Sequence, residues 1–368
     1  MNENLTLTNR LASLDFLRGM TMVLLTLEST RLFEHLVPVV EGTWGAQILN
    51  QFFHHPWHGL RFWDLIQPTF MFVAGVALAF SVRKQRLSQT WNQTFIKILK
   101  RCGWLFFWGV LDYAVRQNGL SFELWDVLTQ LSFTTLLAFL IMDWSVRLQL
   151  VVSGLCLLIP ELLYRYTHIQ GFDHPFTDQH NFGNYVDLIL MNKINPGGWV
   201  AINCISTSAH TIWGVLAGKL LISNKTSAKK MKWLLISSLI LLLVGFGLDW
   251  TNITPIIKRI ATSSFVLASG GYCVLFLALC YGWVDMKNHK ARLLFINLFA
   301  LNSIFIYLFF EIAGDRWFTG YILTITNGLF GMAHVPTFLA SVLGSLIVFS
   351  LESGILYFLY MKKIFFKV

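Results

Sequence analysis

Apolar residues in this chain gather into long continuous runs, and the polar and basic residues fall mostly between them. Ten runs approach the roughly 20 apolar residues that a membrane-spanning helix needs. They cover residues 14 to 33, 64 to 82, 96 to 115, 127 to 143, 147 to 164, 201 to 222, 233 to 249, 262 to 283, 293 to 311 and 338 to 360. A membrane barrel would instead show alternating segments of about ten residues. The expected fold class is therefore all-α, a polytopic membrane protein of about ten transmembrane helices, nine to eleven in range. The chain reads as one domain over residues 1 to 368, with two longer outer segments at about 34 to 63 and 165 to 200. No internal duplication and no matched pair of broken helices stand out, which weighs against a transporter built on inverted repeats.

Composition agrees with the pattern. Hydrophobic residues make up 55% of the chain and charged ones 13%, against about 25% charged in soluble domains. With the N-terminus placed in the cytoplasm, 18 of the 28 Lys and Arg residues, from Arg10 to Lys367, fall on the inner side and eight on the outer. That asymmetry puts both termini in the cytoplasm. The net charge of +9 is then a consequence of topology, and no nucleic-acid partner is expected. Asp15, Arg18 and Glu28 interrupt the first run, which argues against a cleavable signal peptide and for a retained first span. The five cysteines lack metal-ligand spacing and read as buried thiols.

Chemistry concentrates at one junction, HHPWHGLRFWDLIQPTFMFVAG, residues 54 to 75, where histidines and an aspartate stand directly before an apolar run. Ionisable groups beside a bilayer are costly and usually functional. An imidazole near its ordinary pKa of about 6.5 can take a proton from an incoming amine or hydroxyl, or accept an acyl group itself. The plain alternative is that His54, His55 and His58 are interfacial polar tips beside Trp57 and Trp63 in an aromatic belt. Asp64 opens the second span, where it is expected either to hold a histidine or orient a substrate, or simply to cap the helix.

Six blocks in order resemble the heparan-α-glucosaminide N-acetyltransferase-like membrane proteins. They are SLDFLRG (13 to 19), the stretch from 54 to 81, DVLTQL (126 to 131), NPGGW with GVLAG downstream (195 to 199 and 214 to 218), KRIATSSFVL (258 to 267) and LNSIFIY (301 to 307). Gln67 stands where the family usually has an aromatic residue. The resemblance implies an all-helical acetyltransferase that draws acetyl-CoA from the cytoplasm and acetylates a sugar or glycan on the far side. It also implies a catalytic histidine three residues before the Trp of Trp-x-Gly, which is His54, with His55 as the alternative. No metal is expected; the partners are the glycan acceptor and the lipid bilayer, and a homodimer is compatible with this reading. The localisation expected is a bacterial inner membrane.

Further candidates follow for substrate and co-substrate. Glu28 lies within the first run and is expected to meet a partner such as His54 or a substrate amine, unless it sits at the helix end. Asp15 and Arg18, three apart, are placed to pair with each other or to touch substrate. Asn302 falls mid-run in LNSIFIY, either bonding across helices or facing a pocket. Lys258 with Thr262, Ser263 and Ser264 forms a donor-rich cluster suited to an anionic or sugar group, helix capping being the simpler reading. His168, Asp173, His174, Asp178 and His180 are too irregularly spaced for a metal site. Arg83, Lys84 and Arg86 belong to the densest basic patch and are the candidates for CoA phosphates, although the positive-inside rule accounts for them as well. No Gly-rich phosphate loop is present. The competing function classes are a transporter or flippase of a polar or lipid-linked solute, and a scaffold in an envelope complex.

Overall fold

A computed structural model describes residues 11–114, 120–289 and 293–366. Arg10, Arg116, Lys290, Arg292 and Lys367, counted above for orientation, lie outside the described residues. In chain order the helices are α1 (Ala12–Ser29), α2 (Leu32–Val40), α3 (Trp44–Leu49), α4 (Ile66–Gln85), α5 (Trp91–Ala114), α6 (Val127–Ile141), α7 (Val146–Tyr166) and α8 (Phe182–Met191). There follow α9 (Asn203–Ile222), α10 (Ser227–Trp250), α11 (Ser263–Cys280), α12 (Leu294–Leu301), α13 (Ser303–Phe309), α14 (Thr319–Met332) and α15 (Thr337–Met361). Among the described residues, extended pairing is limited to one isolated antiparallel bridge, His58 with Ile257. The fold is all-helical.

Five helices are long and apolar enough to cross a membrane: Phe62–Gln85, Val146–Tyr166, Ser227–Trp250, Ser263–Met286 and Thr337–Met361. A sixth arises if Leu294–Leu301 and Ser303–Met332, bent by 72° at Asn302, count as one span. This is an integral membrane protein by the length and apolarity of these helices. Four other expected runs also form helices, but α1 and α5 carry several charged residues, α9 carries Asn203, His210, Lys219 and four hydroxyl residues, and α6 has only 15 residues. The run expected at 293 to 311 does not end there. The chain turns at Asn302, passes through a wide-turned π-helical segment at Phe310–Phe318, and continues as α14.

Two compact units make up the chain: residues 11–54 with 280–366, and residues 55–279. In the first unit α1 lies against α12 so closely that a Cβ at Gly19 would come 2.3 Å from the Ile296 carbonyl oxygen. Asp15 and Arg18 pair with each other at 3.7 Å. Asn302 is not a mid-span pocket residue. It sits at the break between α12 and α13, donates to the Ile364 carbonyl at 3.1 Å and accepts from the Phe366 amide at 2.9 Å, so it pins the C-terminal segment.

In the second unit α4 and α9 run parallel at near-minimal separation. A Cβ on Gly75 would stand 2.0 Å from the Thr211 carbonyl oxygen, one on Gly214 would stand 2.1 Å from that of Phe72, and one on Gly218 would stand 2.7 Å from Ala79 Cβ. Small residues at such crossings let backbones approach where lipid offers no hydrophobic gain from association. Helix starts are conventional: the side chains of Asp126, Ser145 and Thr226 cap α6, α7 and α10.

The basic residues of this unit collect where α4, α6 and α9 end, and several satisfy helix C-termini. Arg83 donates to the Ile222 carbonyl at 3.2 Å and Lys230 to that of Leu221 at 2.7 Å, while Lys219 donates to that of Met142. Cations suit those termini because the last carbonyls lack helical partners and carry partial negative charge. Arg86 grips both carboxylate oxygens of Asp143 at 2.5 Å and holds that carboxyl below the usual range.

Substituting Gly75 with Val should force α4 and α9 apart and destabilise the second unit by about 1–3 kcal/mol. Gly103→Ala, at a site with open space around its Cβ, should leave stability unchanged. Thermal unfolding of both variants in detergent tests this; equal midpoints would refute the packing assignment.

Candidate functional site

The stretch from residue 55 to 65 crosses the N-terminal end of α4, and a short 3-10 turn at Phe62–Leu65 places Asp64 inward. Asp64 is fully buried and accepts the backbone amides of Arg61 at 2.9 Å and His55 at 3.3 Å. The Lys258 ammonium, also buried, lies 3.7 Å from the same carboxylate. A buried pair of this kind gives modest net stability, yet removing either partner typically costs about 3–5 kcal/mol because a charge is left uncompensated. The carboxylate therefore fixes the backbone of the histidine strap and meets the cation of the Lys258 loop. Its contact with His55 is through the amide.

His55 is half-buried, and its Nδ1 is buried without a hydrogen-bond partner. Its ring rests on Gly59, where a Cβ would come 2.5 Å from Nε2; at φ +144° this glycine also adopts a backbone that other residues avoid. Burial first, and then the Arg61 cation, pull the His55 pKa below its usual value, against the opposing pull of Asp64. The imidazole is thus neutral at physiological pH, the form in which it accepts a proton. His54 is exposed and closes the N-terminal part of the other unit. His58 is engaged with Asp249 at 2.7 Å, and Asp249 also receives the Ile256 amide at 2.8 Å.

The NPGGW and KRIATSS blocks meet beside this strap. Asn195 bonds the Gly197 amide at 2.7 Å, Gly198 turns at φ +77°, and Arg259 donates to the Gly197 carbonyl. Trp199 is thereby held with its ring centre 5.2 Å from the Lys258 ammonium. A Cβ on Gly198 would lie 2.3 Å from Asp178 Oδ1 and 2.8 Å from the Trp57 ring, so only glycine fits. Asp178 Oδ1 is buried and has no partner. Trp57 donates its indole N–H to the Phe176 carbonyl at 2.8 Å, which ties the junction to the 165 to 200 segment.

Other expected site residues are placed differently. Glu28 is exposed, one residue from the end of α1, so the end-of-helix reading applies. The hydroxyls of the cluster after Lys258 are spent internally: Ser263 donates to Glu161 at 3.1 Å, and Thr262 and Ser264 both donate to the Pro255 carbonyl at 2.7 Å. Gln67 hydrogen-bonds Gln130 at 2.6 Å, a polar contact that explains an amide where an aromatic was expected. Arg83 and Arg86 have the partners given above. Among the described residues, no three of His, Cys, Asp and Glu gather as a metal-binding group.

The sequence reading passed over Asp187. Its carboxyl accepts the Trp125 indole N–H at 2.8 Å and the Ala201 amide at 2.9 Å, linking α8 to the starts of α6 and α9. Burial pushes it up to about 7, these two hydrogen bonds opposing the rise. Asp249 and Glu161 were missed too, since an aspartate at the end of an apolar run and a glutamate inside one carry no motif. The Trp199 ring lay within a motif already noted, but nothing in its spacing pointed to Lys258.

Since the folded Asp187 pKa is raised above its ordinary 3.8 to about 7, its protonated form favours the folded state. That contribution is fully present below pH 3.8 and is lost as pH rises through about 7. Asp187→Asn should flatten this part of the thermal-stability profile and, by losing one of two acceptors, cost about 1 kcal/mol at acid pH. A variant whose profile still matched wild type would remove Asp187 from this role.

No match is found among curated proteins. The family model described as "Domain of unknown function (DUF5009)" matches residues 10–222, which run from the start of the first unit through the histidine junction, the 165 to 200 segment and α9. More than half of the chain is covered, and the chain therefore belongs to the DUF5009 family.

Proposed function

We propose that this protein is a membrane acetyltransferase of the kind its six sequence blocks resemble. It takes acetyl groups from cytoplasmic acetyl-CoA and passes them to an amine or hydroxyl of a sugar on the opposite side. The observation that carries this reading is the His55 imidazole. It is neutral, unbonded at Nδ1 and seated on a strap anchored by the buried Asp64–Lys258 pair. In the direct route His55 takes the proton as the acceptor nitrogen or oxygen attacks the thioester carbonyl. The carbon–sulfur bond then breaks and the thiolate leaves, to be protonated to free CoA. In the covalent route an imidazole nitrogen attacks the thioester carbonyl and the carbon–sulfur bond breaks, the thiolate leaving to be protonated to CoA. The acceptor nitrogen or oxygen then attacks the acyl-imidazole, the carbon–nitrogen bond breaks and the freed imidazole takes the acceptor's proton. Trp57 and Trp199 offer apolar faces for a sugar ring. The resemblance assigns the histidine role to His54; we propose its neighbour His55 on the strength of the unbonded Nδ1.

The same reading has ten spans with both termini in the cytoplasm of a bacterial inner membrane. It is supported by the excess of basic residues at one end of the second unit, the other end holding Arg61, Arg165, Lys193, Lys258 and Arg259. Arg83, Lys84, Arg86, Lys219, Lys229, Lys230 and Lys232 lie at the end opposite to Asp64 and Lys258, as the positive-inside rule requires of a cytoplasmic face. With Arg83 and Arg86 engaged on protein groups, this basic end attracts CoA phosphates as a collective field.

Purified protein supplied with acetyl-CoA and a panel of amino sugars should release free thiol. His55→Ala should lower that rate by about 10²–10⁴ if the imidazole is a general base, and stop turnover nearly completely if it is the acyl carrier. Wild-type rate should stay flat through neutral pH and fall only on the acid side, below about 6.5, where His55 gains a proton. If His54→Ala instead abolishes turnover while His55→Ala is mild, the role belongs to His54. Normal rates in both would end the histidine reading. For topology, a Cys at Gly42 should react with a membrane-impermeant maleimide in intact cells and one at Ser227 should not; the opposite result would invert donor and acceptor sides.

A further inference from the structure

Glu352 lies well inside α15, a helix of 25 residues with no other Asp, Glu, Lys or Arg. Its side chain is fully buried, and neither carboxyl oxygen has a hydrogen-bond partner. On the facing side runs the wide-turned segment Phe310–Phe318, where a Cβ added to Gly314 would stand 3.6 Å from Glu352 Oε1. π-helical turns of this sort recur at functional sites.

Three states of the carboxyl are open in principle. An ionised, unpaired carboxylate inside an apolar unit is costly by several kcal/mol. A metal cation would need several further oxygen ligands, and no three-residue group of His, Cys, Asp and Glu exists among the described residues. A bound proton neutralises the group without any additional ligand. Among the described residues, no ion pair or hydrogen bond reaches the Glu352 carboxyl. On α14 the one titratable group is Tyr321, and α12 has none. On α2, Glu34 and His35 are present, and His35 bonds Ser345 at 2.9 Å, about two turns from Glu352. On α1, Asp15 and Arg18 pair with each other and Glu28 is exposed at the helix end. The π-helical segment carries Glu311, Asp315 and Arg316.

We infer that Glu352 is a proton-binding site of the first unit, taking a proton from water as its carboxylate becomes a carboxylic acid and returning it to water while the chain stays folded. This stands on the first unit alone and is independent of the acetyl-transfer reading.

The test uses the full-length protein in detergent or liposomes between about pH 6 and about pH 10. Infrared spectra should show a protonated-carboxyl carbonyl band that is lost reversibly as pH rises and is absent throughout from Glu352→Gln. Dicyclohexylcarbodiimide, which modifies protonated carboxyls in apolar surroundings, should add to the peptide containing Glu352. The yield should fall roughly tenfold per pH unit once the acid begins to ionise. Identical infrared spectra for wild type and Glu352→Gln would overturn the inference, as would a band that never changes with pH, since a static buried acid exchanges nothing. Should Glu352→Gln fail to fold, the wild-type adduct yield at Glu352 decides: no adduct at any pH overturns the proposal, and a pH-dependent one sustains it.

Discussion

The close parallel contact of α4 with α9 is the constraint on which the second unit depends. Gly75, Gly214 and Gly218 bring the two backbones together with no room for a side chain. Because the helices are parallel, both N-terminal ends emerge on the same side, each with its unsatisfied amides and partial positive charge. The segments that precede them, the histidine strap before α4 and the NPGGW turn before α9, are therefore brought to one end of the unit. Everything that resembles a site is built there.

Once those segments share an end, electrostatics decides their details. Asp64 is a buried carboxylate that must be compensated, and two backbone amides together with Lys258 compensate it. The arrangement rigidifies the strap from the inside and leaves the His55 Nδ1 without a protein partner. On the proposed acetyltransferase reading, this would present a neutral imidazole from a fixed backbone. The surrounding polar groups are largely spent. Glu161 absorbs Arg165, Thr254 and Ser263, and Asp249 absorbs His58. At this end of the unit, His55 Nδ1 and Asp178 Oδ1 are buried without a hydrogen-bond partner.

At the other end of the unit the cations have a structural task beyond orientation. Arg83, Lys219 and Lys230 satisfy carbonyls at helix C-termini, where the last turn lacks internal partners. A cluster of basic residues at such an end is thus over-determined, and this is why a sequence cannot separate topology from phosphate binding there.

The sequence by itself determined the all-helical membrane class, because spans of continuous apolar residues need no tertiary partner to be recognised. It also located the junction and the NPGGW and KRIATSS blocks, since their polar residues contrast with apolar surroundings. Only tertiary structure decided what those residues do. For Asp64 the sequence leaves a helix cap and a histidine- or substrate-orienting role side by side, and Lys258, nearly two hundred positions away, is found beside it only in the folded chain. Ser263 and Thr262 read as substrate donors or capping groups until Glu161 and the Pro255 carbonyl are found to accept their hydrogen bonds. Glu28 and Asn302 seemed to lie deep in spans because hydropathy does not mark a helix end or a break at Asn302. Glu352 passed unnoticed because one carboxyl hardly alters the average of a long apolar run, and its lack of partners is a property of its neighbours, which no local pattern records.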